Sequence, residues 1–83
     1  MTDDEFDLID ELYFVQPYSY LKETLDWEDE KLLVILQRLL EKEWIKCLYA
    51  PDEEIFGDFD ISKEGKQLFY LATKKGLIHH NTI

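Results

Sequence analysis

The stretch Asp29 to Glu43, DEKLLVILQRLLEKE, constrains this chain more than any other. It contains no proline or glycine and is rich in Leu, Glu and Lys, which favour helix. Leu32, Leu36 and Leu39 fall on one stripe with Ile35 beside it, and supply a core-facing side. Leu33, Val34 and Leu40 carry apolar surface round most of the remaining circumference. A helix that is apolar nearly all round is usually buried on more than one side. In a chain of 83 residues that second side is covered either by a later helix and the chain ends or by another chain. The start is weak: Glu28 stands where Ser or Thr would cap the helix, and Asp26 is the alternative cap.

Glycine and proline punctuate the rest. A first helix is expected from Asp3 to Tyr13, opened by Thr2 and Glu5 at capping-box spacing, with Phe6, Ile9 and Tyr13 on one stripe and Leu8 and Leu12 beside it. Phe14-Val15-Gln16 reads as a short extended piece, because the residue before Pro17 is pushed away from helical angles. Ser19 to Leu25 reads as a second helix with Ser19 as its cap. Ile45 to Tyr49 alternates as a strand, Pro51-Asp52-Glu53-Glu54 as a loop tip, and Phe59-Asp60-Ile61 as a returning strand. Ser62 is expected to cap a fourth helix from Lys63 to Lys75 that ends at Gly76. Leu77-Ile78 would fold back, and the chain from His79 on would be loose.

A chain this short buries only about 60% of its unfolded surface, so one thinly stabilised domain is expected. Its twelve aromatic residues (five Phe, five Tyr, two Trp) argue against disorder. The longest apolar run, Leu32 to Leu36, is far short of the roughly 20 residues of a membrane span. With no signal-like opening and a single cysteine, Cys47, a cytoplasmic protein is expected.

The charge is lopsided. Nineteen acids face nine bases, and residues 1–30 hold eleven acids and one base. Nucleic-acid binders normally carry a basic footprint, because phosphate contacts supply much of their affinity. No phosphate loop, nucleophile elbow or zinc spacing is present, and adjacent His79 and His80 lack an organised ligand set. No enzyme activity, cofactor, metal or small-molecule substrate is therefore expected.

The order helix, short strand, helix, helix, strand, wing, strand, helix resembles the winged-helix proteins, best known as small bacterial repressors. Leu25, Trp27, Leu32, Leu36 and Leu39, then Trp44-Ile45, match the family's apolar spacing without a gap. Past the wing, Phe59, Ile61, Ser62, Lys63, Glu64 and Gly65 match its aromatic, apolar, hydroxyl, polar, polar, glycine pattern. The resemblance implies an α+β, mostly α domain over residues 1–83: a three-helix unit, a β-hairpin wing and a closing helix.

In DNA-binding members of that family the early exposed residues of the third helix enter the major groove. The resemblance carries those positions onto Asp29, Glu30, Lys31, Leu33, Val34, Gln37 and Arg38, and the wing tip onto Asp52, Glu53 and Glu54. Both elements are largely acidic or apolar where the family's DNA readers are basic or polar. Each close like-charge pair costs on the order of 1 kcal/mol near a surface, so ordinary DNA docking is disfavoured. The leading expectation is a non-enzymatic module that binds a protein partner or itself as a homodimer, in a regulatory setting. The alternative is a DNA-binding transcriptional regulator that pools Lys31 and Arg38 with Lys63, Lys66, Lys74 and Lys75 across a dimer. Of the aromatics, Trp27 and Trp44 are read as structural. Adjacent Phe69 and Tyr70 cannot both face one core, so one of them is a candidate dimer contact.

Overall fold

In the computed structural model, residues 1–56 and 61–82 are described. The chain is α+β. The elements run α1 (Asp3–Asp10), β1 (Gln16–Pro17), α2 (Tyr18–Leu25), α3 (Asp29–Glu41), β2 (Ile45–Ala50), β3 (Glu53–Glu54), α4 (Ile61–Glu64), a 3-10 turn (Gly65–Gln67), β4 (Phe69–Ala72) and α5 (Lys74–Asn81). The strands form one antiparallel sheet in the order β1-β4-β2-β3.

The capping box at α1 forms as its spacing predicts: Glu5 N–H donates to Thr2 Oγ1 at 3.1 Å and Thr2 N–H to Glu5 Oε1 at 2.9 Å. The helix stops at Asp10 rather than Tyr13, and its buried side is Glu5, Leu8 and Ile9, with Leu12 just beyond. Tyr13, expected on that stripe, is instead 41% exposed. The α2 helix begins one residue earlier than expected, behind Pro17, and Ser19 caps nothing there.

The α3 helix buries Leu32, Ile35, Leu36 and Leu39, as its pattern predicts. Its start carries no side-chain cap; Asp26 instead takes a left-handed conformation (φ 56°) that ends α2. The helix closes two residues before Glu43. Glu43 N–H donates to Leu40 O and Trp44 N–H to Leu39 O, both at 3.0 Å, with Glu43 at φ 62°. That is the paired closure of a Schellman motif, with glutamate at the position glycine usually takes.

The main departures lie after the loop tip. Residues 59 and 60 of the expected returning strand lie outside the described residues, and Ile61 opens the short α4 instead. Besides the short β3, the strand that pairs with β2 is β4, with Ile45, Lys46, Cys47 and Leu48 opposite Ala72, Leu71, Tyr70 and Phe69. The expected helix over Lys63–Lys75 is therefore absent. Helix-forming lysines are outweighed by Phe69–Ala72, which alternates half-buried and buried residues and finds partners on both sides, β2 and β1. Gly65 permits the turn before it. A Cβ there would lie 2.8 Å from Leu33 Cδ2, and Tyr70 Oη donates to Gly65 O at 2.7 Å.

Thr73 then caps a new helix, its Oγ1 accepting from Gly76 N–H at 3.0 Å and donating to Glu43 O at 2.7 Å. Gly76 sits in the first turn of α5, not past the end of a helix. It lies so close to the turn after α3 that a Cβ would meet Trp44 O. The tail expected to be loose is helical through Asn81, and its His80 is 7% exposed.

One core joins the layers: Leu8, Ile9 and Leu12; Tyr18 and Leu21; the four α3 residues; and Ile45, Cys47, Ile61, Leu68, Tyr70 and Ala72. Fully burying each leucine or isoleucine contributes about 1.5–3 kcal/mol. Trp27, Trp44 and Leu33 pack half-buried against its edge.

Candidate functional site

The outward side of α3 is set by helical geometry. Glu30, Val34, Gln37 and Glu41 stand at i, i+4, i+7 and i+11, opposite the buried leucines, and form one row. Glu30 and Glu41 are exposed, and Val34 is 52% exposed at the centre of the row. Leu33 and Arg38 flank it. An open groove of about 630 Å³ is lined by Leu33, Val34, Gln37, Arg38 and Glu41 of α3 and by Ile61 and Ser62 of α4. On its other side Val34 borders a second hollow with Glu28, Glu30, Lys31 and Asp4 of α1.

Two of the expected site residues are engaged by partners within the chain, although both stay partly exposed. Asp29 accepts from Tyr18 Oη at 2.6 Å and lies 3.9 Å from Lys22 Nζ and 3.4 Å from Lys66 Nζ. The Tyr18 hydrogen bond leads in holding the Asp29 carboxyl below its ordinary range, with both lysines adding to it against partial desolvation. Burial and the same carboxylate push the Tyr18 phenol well up. Asp29 thus ties α2, α3 and the 3-10 turn together. Lys31 lies 3.4 Å from Asp4 and stacks over Trp27, its ammonium 4.6 Å from the ring centre. Glu30, Leu33, Val34, Gln37 and Arg38 do share the outward surface.

Three further cations are similarly engaged. Lys42 reaches the fully buried Glu5 at 2.7 Å, Lys46 reaches Glu54 at 3.1 Å, and Lys75 lies 3.9 Å from Glu43. Among the described residues Arg38, Lys63 and Lys74 make no ion pair. They stand on three separate helices, α3, α4 and α5, because the single lysine-bearing helix expected there is split by β4. By contrast, Glu28, Glu30, Asp52 and Glu53 make no ion pair among the described residues, and Glu41 accepts only from Gln37 Nε2 at 3.2 Å.

No family model, curated protein or solved structure matches this chain. The site is read from its own chemistry.

The loop tip does not extend as a separate acidic finger. Glu53 and Glu54 form the edge strand β3 against Ala50 and Leu48, leaving Pro51 and Asp52 as the turn. Phe69 and Tyr70 separate as adjacent strand residues must. Tyr70 is fully buried in the core, which removes it as a contact for a second chain. Phe69 is half-buried on the opposite face of the sheet, beside Leu48 and Leu71. Cys47 is buried and its thiol is pushed up to about 12, so it is an inert core residue. Among the described residues no His, Cys, Asp and Glu group could hold a metal ion, and no helix is long and apolar enough to cross a membrane.

Two residues of the groove escaped the sequence reading. Glu41 was detectable, since it continues the Glu30–Val34–Gln37 row by one more turn. Ile61 was not, because its alternation with Phe59 reads as strand.

Proposed function

We propose that this chain is a winged-helix domain that docks another protein through the outward row of α3, as an adaptor in a regulatory setting rather than as a catalyst. The winged-helix reading is supported by the element order: α1, β1, α2, α3, then β2 and β4 paired antiparallel, then α5. The extra edge strand β3 and α4 are carried in the connection between the two wing strands.

Val34 carries the docking reading. It is a β-branched aliphatic side chain, half exposed beside an open groove, on the side of the helix that the core does not need. An apolar centre with a polar rim is the anatomy of a protein-binding patch. A nucleic-acid partner fits less well. Phosphates would meet Glu28 and Glu30, and Lys31 would have to leave Asp4. A light-scattering size measurement, with mixed-sequence duplex DNA titrated at low salt, tests this. The expected result is no complex with DNA. A gel shift that Lys31→Ala or Arg38→Ala abolishes would overturn the reading in favour of a DNA-binding regulator.

A further inference from the structure

The proposed docking site also has a sign. Glu30 and Glu41 bracket Val34 along one row, eleven positions apart, which is about 16 Å of helix. Neither makes an ion pair with a described residue. Between them lie the half-exposed Val34 and the half-buried Leu33. The row therefore offers aliphatic surface at its centre, with Glu41 in the groove and Glu30 in the neighbouring hollow, set against the single cation of Arg38, which lines both. Six of the nine cations pair with other carboxylates, and of the remaining three only Arg38 lines these hollows, where Glu28, Glu30 and Glu41 outnumber it.

Resting on the docking reading above, we propose that the occupant is an amphipathic helix of a different protein, bearing Lys or Arg on either side of an aliphatic stripe. Its aliphatic residues sit on Val34 and Leu33, and its cations reach Glu30 and Glu41. A helix suits an open groove beside another helix, where residues recurring every three or four positions meet the row. A second copy of this chain does not fit here. It would set one Glu30–Val34–Glu41 row against another, between molecules that each carry a net charge of −10.

The test uses three synthetic helices of about 18 residues, a length that sustains helix when the sequence favours it. One has a Leu stripe flanked by Lys, the second the same stripe flanked by Glu, and the third the Lys pattern with Ser in place of Leu. Binding to the full chain is read by fluorescence anisotropy at low and high salt. The Lys–Leu helix is expected to bind, and the other two to bind much more weakly. Glu30→Gln with Glu41→Gln should weaken it about tenfold. Val34→Gln should weaken it about fivefold. These residues are exposed, so the variants should keep the parent circular dichroism. Neutralising the loop-tip pair, Asp52→Asn with Glu53→Gln, should change affinity less than about twofold. An equal loss from both pairs means general attraction to an acidic protein and overturns the proposal. Preference for the Glu-flanked helix, with Val34→Gln still weakening it, overturns the cationic partner but leaves the docking reading standing. Failure of all three helices, together with binding of duplex DNA, overturns both.

Discussion

Glu5 is the residue whose replacement best tests the physical account of this fold. Its side chain is fully buried, Oε1 accepting from the Thr2 amide at 2.9 Å and Oε2 from Lys42 Nζ at 2.7 Å. Glu5→Gln keeps the first bond and loses the second, leaving an amide NH2 aimed at an ammonium. A hydrogen bond to a charged group contributes about 1.5–3 kcal/mol. Lys42 remains 40% exposed and recovers part of that from water, so the lower end applies. The expected cost is about 2 kcal/mol, or a fall in Tm of roughly 8–16 °C for a domain of this size. Burial pushes the Glu5 carboxyl up, but the Lys42 ammonium and the Thr2 bonds outweigh it and hold it below the ordinary carboxylate value. A carboxyl lowered on folding contributes its stability above the unfolded value, near about 4.3, and loses it as pH falls through the folded value. The gap between parent and Glu5→Gln in urea unfolding should therefore be full at neutral pH and close in strong acid, where the parent is also neutral. Lys42→Met and the double variant complete a cycle with a coupling of about 1–2 kcal/mol. A gap below about 0.5 kcal/mol at neutral pH, or one unchanged in acid, refutes the reasoning.

Other substitutions probe the closing elements. Gly76→Ala forces a Cβ onto Trp44 O and should destabilise by about 2–3 kcal/mol in urea titration, since the obstruction is backbone. Glu43→Gly relieves the left-handed strain at the end of α3 and should stabilise by about 0.5–1 kcal/mol, read as a higher urea midpoint with unchanged slope. His80 stacks on Phe6 with centroids 4.0 Å apart, meets Tyr13 Oη at 2.9 Å and lies 3.4 Å from Asp10. His80→Ala should cost about 1–2 kcal/mol, and hydrogen exchange should show α5 amides losing protection before those of α3.

Sequence pattern revealed those elements whose determinants are local. The α3 helix shows in its leucine spacing, and the α1 start in the Thr2–Glu5 box. It failed where a distant partner decides. Lys63 to Lys75 reads as helix by composition, yet Phe69–Ala72 is claimed by strands on both sides, both of them more than about twenty residues earlier in the chain. Thr73 could have been seen as a cap, being followed three residues later by Gly76, but the glycine drew the reading toward a helix end. Glu5 shows the same limit in reverse. Its capping role is local and legible, while its burial depends on Lys42, 37 positions away.

The same distinction applies to the site. Asp29 and Glu30 are sequence neighbours of the same charge, and pattern alone gives them one role. The fold separates them, because Asp29 turns toward Tyr18, Lys22 and Lys66 while Glu30 faces water. Acidic count therefore overstates the acidity of the start of α3 and understates how selectively it is displayed. With Asp29 compensated and Lys31 held by Asp4, the uncompensated carboxylates near Val34 are Glu28, Glu30 and Glu41, to which Arg38 offers one cation without an ion pair among the described residues. On the proposed docking reading, their repulsion of a second copy would oppose self-association at this exposed aliphatic residue. On that reading the same charge would both protect the patch and select what covers it, so added salt should weaken partner binding and ease self-association at this face together.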